Sequence, residues 1–196
     1  METLDKNRVE KIPEKIYNRE SDNILEKNSD RLAGIVIKLL KQLNYKISVT
    51  ESCTGGLLSS RIIDIPGASE VFKEGIIAYS NESKISRLKV RKETLNMYGA
   101  VSEEVAKEMV LSFDTEVSIS TTGIAGPDGG TQYKPVGLVY IGIKIKDEVF
   151  ILKEVFKGDR KKIREKAVLH ALFKLSKILE RDVMRSDEYR GENKEK

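Results

Sequence analysis

Two hydroxyls, a thiol and two glycines occupy five consecutive positions, Ser52-Cys53-Thr54-Gly55-Gly56, preceded by Thr50 and Glu51. Glycine lets the backbone approach a ligand closely, and the free N–H groups of a helix start carry partial positive charge, which suits a phosphate or a developing oxyanion. The same residues also make an ordinary helix N-terminus capped by Ser52 or Thr54. Taken alone, the heptapeptide leaves both readings open. A second glycine-dense run, Gly123-Ile124-Ala125-Gly126-Pro127-Asp128-Gly129-Gly130, is the other candidate phosphate or substrate loop, with plain turn chemistry as its alternative.

Histidine and cysteine are scarce enough to remove whole mechanisms. Cys53 is the single cysteine and His170 the single histidine, so an intrachain disulfide, a cysteine-rich zinc site and a multi-histidine metal site cannot be built within one chain. A serine or cysteine hydrolase of the histidine type would have to use His170. That residue lies in a helical pattern from Asp159 to Val183, whose apolar stripe runs through Val168, Ala171, Leu172, Leu175 and Leu179. At helical spacing it falls nearly opposite the centre of the stripe and reads as a surface residue. Hydrolysis here needs a base other than histidine, and Cys53 lacks the partner that would make it a thiolate nucleophile.

The elements that must position these groups alternate. Ser29 reads as the N-cap of a helix with Leu32, Ile35, Val36, Leu39, Leu40 and Leu43 on its apolar face, ending near Asn44. Lys46 to Thr50 alternates as a strand, the glycine turn follows, and Leu57 to Ile63 continues as a helix. After a loop at Pro66 and Gly67, Gly75 to Ser80 reads as a short buried strand. Helices are expected over Asn81 to Leu88 and Lys92 to Tyr98, the latter closed by Gly99, and again from Ser102 with Val105, Met109 and Val110 inward. Glu116 to Thr121 alternates as a strand, and Leu138 to Lys146 and Glu148 to Lys157 form a hairpin around Lys146 and Asp147. The pattern predicts a single-domain, layered α/β/α fold with a mixed, mostly parallel sheet. In such folds a ligand sits outside the carboxyl ends of strands, where the stretches after Thr50, at Tyr79 to Lys84, and at Thr121 to Gly130 would converge.

Composition bounds the rest. A chain of 196 residues with 39% hydrophobic content suffices for one substantial core. The net charge of +4, from 35 basic against 31 acidic side chains, is weak grounds for a nucleic-acid partner. No run approaches the roughly 18 apolar residues of a membrane span, and the charged start has no signal-peptide core, so a cytoplasmic location is expected. Residues 1–28 read as a flexible or loosely docked extension, 29–183 as the domain, and 184–196 as a polar tail.

Five ordered motifs resemble one family: Glu51-Ser52-Cys53-Thr54-Gly55-Gly56, Ala78-Tyr79-Ser80-Asn81-Glu82-Ser83-Lys84, Gly99-Ala100-Val101-Ser102-Glu103-Glu104-Val105, Thr122-Gly123-Ile124-Ala125-Gly126-Pro127-Asp128-Gly129-Gly130 and Lys134-Pro135-Val136-Gly137. Together they are similar to the CinA C-terminal-domain family, whose characterised enzymes are nicotinamide-nucleotide amidohydrolases. The resemblance covers about residues 30 to 180, and it implies a stand-alone amidohydrolase form without the N-terminal domain of the longer CinA proteins.

What the resemblance implies is hydrolysis of the carboxamide of nicotinamide mononucleotide to nicotinate mononucleotide and ammonia, a step of pyridine-nucleotide recycling. Ser52 matches the nucleophile position, and Tyr79 and Lys84 match its partners. A buried lysine with a lowered pKa is a reasonable base where histidine is absent, and a tyrosine hydroxyl can relay the proton. Cys53, Thr54, Gly55 and Gly56 are then expected to line the substrate, with backbone N–H groups from Thr54 to Gly56 at the oxyanion. Thr122, Gly123, Gly126 and Gly129 are candidates for the 5′-phosphate. Arg160 and Arg164, one helical turn apart, can face the same anion, with a capped helix start and solvated arginines as the alternative. No metal or organic cofactor is expected. Leu169 and Phe173 lie off the main stripe of the last helix, which suggests a homo-oligomer unless another segment of the chain covers them. The competing readings are a non-catalytic nucleotide-binding module and a competence-associated interaction module.

Overall fold

The computed structural model describes residues 22–192, with side chains from 24 to 186. Helix α1 (Asp22–Leu43) leads into β1 (Ile47–Glu51), α2 (Leu57–Ile63), a short 3₁₀ turn (Ala68–Glu70) and β2 (Phe72–Ile77). Then come α3 (Asn81–Leu88), α4 (Lys92–Tyr98), α5 (Glu103–Val110), β3 (Val117–Gly123), β4 (Leu138–Ile145), β5 (Glu148–Val155) and α6 (Arg160–Glu192). The five strands lie in the order β2-β1-β3-β4-β5. β1 pairs in parallel with both β2 and β3, whereas β3–β4 and β4–β5 are antiparallel. The sheet is mixed as expected, and half of its pairings are antiparallel because β4 returns from β3 through a loop rather than a crossover helix.

The two faces of the sheet bury different chemistry. Ile47, Val49, Val117, Ile119, Ile141 and Ile143 join α1, α2 and α6 in the larger core. On the other face Ala78, Leu88, Val90, Leu95, Val105 and Met109 form a smaller core with α3, α4 and α5. Strand alternation sets Ser48, Thr50, Ser118, Ser120 and Thr122 on that second face, all of them buried. Their small size lets α5 sit close: Ser120 Oγ donates to the Ala106 carbonyl at 2.8 Å. Gly142 is required for the same approach, since a Cβ there would stand 2.4 Å from Ser120 Oγ and 3.0 Å from the Ala106 carbonyl. The chain thus moves from β1 out to β2 and back past β1 to β3. The topological switch lies at the carboxyl ends of β1 and β3.

Several expectations change. Ser29 is not a cap but an interior residue of α1, its Oγ donating back to the Leu25 carbonyl at 2.9 Å, a bond that serine makes in mid-helix. Helix α1 therefore begins inside what reads as an extension; residues 1–21 lie outside the described part of the chain. At the other end α6 runs on to Glu192, through most of the expected tail. β2 is an edge strand, mostly exposed, rather than a buried one. Leu169 is fully buried within the single chain, and Phe173 borders an apolar groove shared with Leu32 and Ile35 of α1. Among the described residues, no helix is long and apolar enough to cross a membrane.

Candidate active site

The Ser52 turn is held at the switch point by the ends of three strands. Ser52 N–H donates to the Thr121 carbonyl at 2.9 Å, and Ala78 N–H donates to the Glu51 carbonyl at 2.8 Å, so Ser52 continues β1 one residue beyond the sheet. Gly55 and Gly56 then turn the chain with φ of 59° and 92°, a region costly for other residues. The helix start that follows is not open to a ligand. Glu51, fully buried, accepts from Gly56 N–H (3.0 Å) and Leu58 N–H (3.1 Å) on one oxygen, and from Ser59 N–H (2.8 Å) and Ser59 Oγ (2.7 Å) on the other. The chain's own carboxylate occupies the anion site that the glycines were expected to offer. The Gly55 N–H is likewise spent, on the Ser52 carbonyl at 3.2 Å.

Lys84 comes to Ser52 from the opposite side. Ser80 caps α3 by accepting from Ser83 N–H at 3.1 Å, which fixes the first turn and points Lys84 inward. The side chain is only 1% exposed. Its Nζ donates to Ser52 Oγ at 2.9 Å, to the Ala78 carbonyl at 3.0 Å and to the Tyr79 carbonyl at 3.2 Å. Burial holds its pKa below the ordinary lysine value of 10.5, with a small opposing effect from Cys53. Burial acts on Cys53 in the other direction and pushes the thiol up to about 12, with Glu51 adding to the rise. Cys53 is a neutral, enclosed thiol.

These groups share a pocket of about 190 Å³ with Tyr79, Ala100, Val101, Thr122, Gly123, Ala125 and Arg160. Lys84 and Arg160 are the cations among these lining residues. Arg160, from the first turn of α6, donates to the Gly126 carbonyl and to the Tyr79 hydroxyl, at 2.8 and 2.7 Å. Tyr79 is 60% exposed and its hydroxyl faces Arg160, so it is the carbonyl of Tyr79, not the phenol, that meets Lys84. A proton relay through the phenol has no geometric support. Arg164 departs further from expectation. Its Nη2 and Nε donate to the Thr54 carbonyl at 2.6 and 3.2 Å, bracing the turn from behind, and it does not line the pocket beside Arg160.

A family model covers most of the chain: the CinA C-terminal domain matches residues 29–179. The chain belongs to the CinA family. It is 55% identical over 180 residues to a CinA-like protein of Fusobacterium nucleatum, covering 91% of this chain and 45% of the relative. To a CinA-like protein of Kosmotoga olearia it is 48% identical, covering 82% and 40%. The chain thus spans less than half the length of these curated relatives. Among solved structures, a CinA superfamily protein from Escherichia coli superposes with a TM-score of 0.77 at 27% identity, covering 89% of this chain and 98% of that one. A competence/damage inducible protein from Agrobacterium tumefaciens gives 0.72 at 35% identity, covering 74% and 92%.

Of the family positions anticipated from sequence, the fold brings Ser52, Cys53, Tyr79, Lys84, Thr122, Gly123 and Arg160 together. Thr54 is turned away, its Oγ1 2.6 Å from that of Thr121, and Gly55, Gly56, Gly126 and Gly129 do not line the pocket. His170 is not on the surface: it is 4% exposed, with Nε2 3.2 Å from Glu154 Oε1 and its ring edge-on to Phe156. It lies outside the pocket lining. Glu51, which holds the turn that carries Ser52, is the residue that sequence reasoning passed over. The available signal was an acid directly before a glycine turn and a helix start, a position suited to satisfy the first N–H groups.

Proposed function

We propose that this CinA-family chain is a serine amidohydrolase whose base is Lys84 and whose substrate is a nicotinamide nucleotide. The observation that carries the reading is the 2.9 Å approach of buried Lys84 Nζ to Ser52 Oγ. A neutral amine has two N–H groups and one lone pair. Directed at the Ala78 and Tyr79 carbonyls, the N–H groups leave the lone pair for the Ser52 hydroxyl. Desolvation favours that neutral form.

The reaction follows from this arrangement. Lys84 takes the Ser52 proton as Oγ attacks the carboxamide carbon, and the tetrahedral species collapses as Lys84 passes the proton to the departing nitrogen. Ammonia leaves and a nicotinoyl ester of Ser52 remains. Water, deprotonated by the same lysine, cleaves the ester to release the carboxylate and restore the hydroxyl. Arg160, at the rim, supplies the charge for the 5′-phosphate, consistent with its place in the lining. The nicotinamide nucleotide itself rests on the family resemblance; the pocket supports an amide attached to an anion.

Formation of ammonia and nicotinate mononucleotide from nicotinamide mononucleotide, by wild type and by Ser52→Ala, tests the reading. Turnover is expected from wild type alone. Equal activity in both would remove Ser52 as nucleophile, and silence in both with the nucleotide bound would favour a binding module.

A further inference from the structure

Thr122 was expected to donate to a phosphate, and its hydrogen bonding argues for a different role. Its Oγ1 donates to the Ala100 carbonyl at 2.7 Å. A hydroxyl has one proton, and here it is committed. The acceptor is itself held: Lys134 Nζ donates to the Val101 carbonyl at 2.7 Å, and Ser102 Oγ to the Gly99 carbonyl at 3.1 Å, so the 99–102 loop is pinned on both sides of Ala100. Towards the pocket, Thr122 Oγ1 can only accept.

Its position is next to the reacting atoms. Glu51 pairs in parallel with Thr121, and Ser52 continues β1 alongside β3, which makes Ser52 and Thr122 neighbours on adjacent strands, about 5 Å apart. Both line the same pocket. A carboxamide with its carbon against Ser52 Oγ therefore has one of its two substituents within reach of Thr122. An acceptor there suits the NH₂ group and opposes an oxygen.

We infer that Thr122 is a specificity-determining residue that selects an amide over an ester or a carboxylate, by offering a lone pair and no proton to the nitrogen that will leave. The inference rests on the amidohydrolase reading of the site. It carries a second consequence, for product: once the amide has become a carboxylate, both oxygens are acceptors, and the one facing Thr122 loses a hydrogen bond and gains a repulsion. The same lone pair that seats the substrate favours release of the acid.

The test compares kcat/KM for nicotinamide mononucleotide with that for the methyl ester of nicotinate mononucleotide, in wild type, Thr122→Val and Thr122→Ser, together with inhibition by nicotinate mononucleotide. Valine keeps the volume and removes the acceptor. The ratio of amide to ester turnover is expected to fall about 10- to 100-fold in Thr122→Val, the cost of leaving a buried N–H without a partner. Product inhibition should tighten, and Thr122→Ser should restore both. Amide and ester activities that fall in parallel, or an unchanged ratio, would overturn the inference. Wild type inactive on the amide would sink the function itself and this inference with it, whereas an active wild type with an unchanged ratio sinks the role of Thr122 alone.

Discussion

Glu51→Gln isolates what the buried carboxylate does for the turn that carries Ser52. Four donors converge on it, Gly56 N–H and Leu58 N–H on Oε2, Ser59 N–H and Ser59 Oγ on Oε1. Glutamine keeps one oxygen. The least costly arrangement gives that oxygen to Gly56 and Leu58 and turns the NH₂ to the Ser59 hydroxyl, which rotates to accept. The Ser59 N–H is then stranded at about 1–3 kcal/mol, and the two remaining bonds lose their charge assistance at about 1 kcal/mol each. The sum is about 4 kcal/mol, which for a chain of this size lowers Tm by roughly 8–16 °C. Thermal denaturation followed by circular dichroism measures it, with amide hydrolysis assayed well below the transition. Activity should drop as well, because the turn carrying Ser52 Oγ is no longer held. A Tm within about 2 °C of wild type would show that the carboxylate is not the clamp of this turn.

Other expectations follow from the same geometry. The proposed base is Lys84 as the neutral amine, so kcat/KM should rise with pH along a single limb, with a midpoint below the ordinary lysine value of 10.5, and be lost as pH falls through it; a flat profile across that range would remove Lys84 as base. Because the folded pKa lies below the unfolded one, the unfolded chain binds more protons between the two values, and stability should increase with pH in that window. Lys84→Met should lose both the activity and this slope, read from urea unfolding at several pH values. Arg160→Ala should weaken nicotinamide mononucleotide about 10- to 100-fold while leaving the riboside, which lacks the phosphate, nearly unchanged; equal losses on both would place the anion elsewhere. Cys53→Ser should retain turnover, and the wild-type thiol, enclosed and pushed up to about 12, should resist iodoacetamide until the protein unfolds. Rapid labelling of the native protein would contradict its burial.

What could be read without a structure was local. The strand, glycine turn and helix at 47–63 are a signal within one stretch of chain, as are the Ser102 cap, the Gly99 stop and the β4–β5 hairpin, because each depends on backbone conformations that a few neighbouring residues impose. Ser52, Tyr79 and Lys84 were named as candidates through motifs in the right order, and the mixed sheet through the alternation of periodicities. Residue counts alone also excluded a multi-histidine metal site within one chain.

Tertiary structure decided the rest, since burial and hydrogen-bond partnership are properties of pairs distant in sequence. His170 was misread because periodicity finds the strongest apolar stripe, and α6 is covered twice, by the sheet on one side and by α1 on another. Arg160 and Arg164 are equivalent by spacing, yet one reaches Tyr79 and the other the Thr54 carbonyl, 110 residues away in the chain. Lys84 is a solvated lysine by composition, and only the fold removes water from it and sets its Nζ 2.9 Å from Ser52 Oγ. Whether Thr122 gives or takes a hydrogen bond depends on the Ala100 carbonyl, 22 residues earlier, and no local pattern can report where that proton goes.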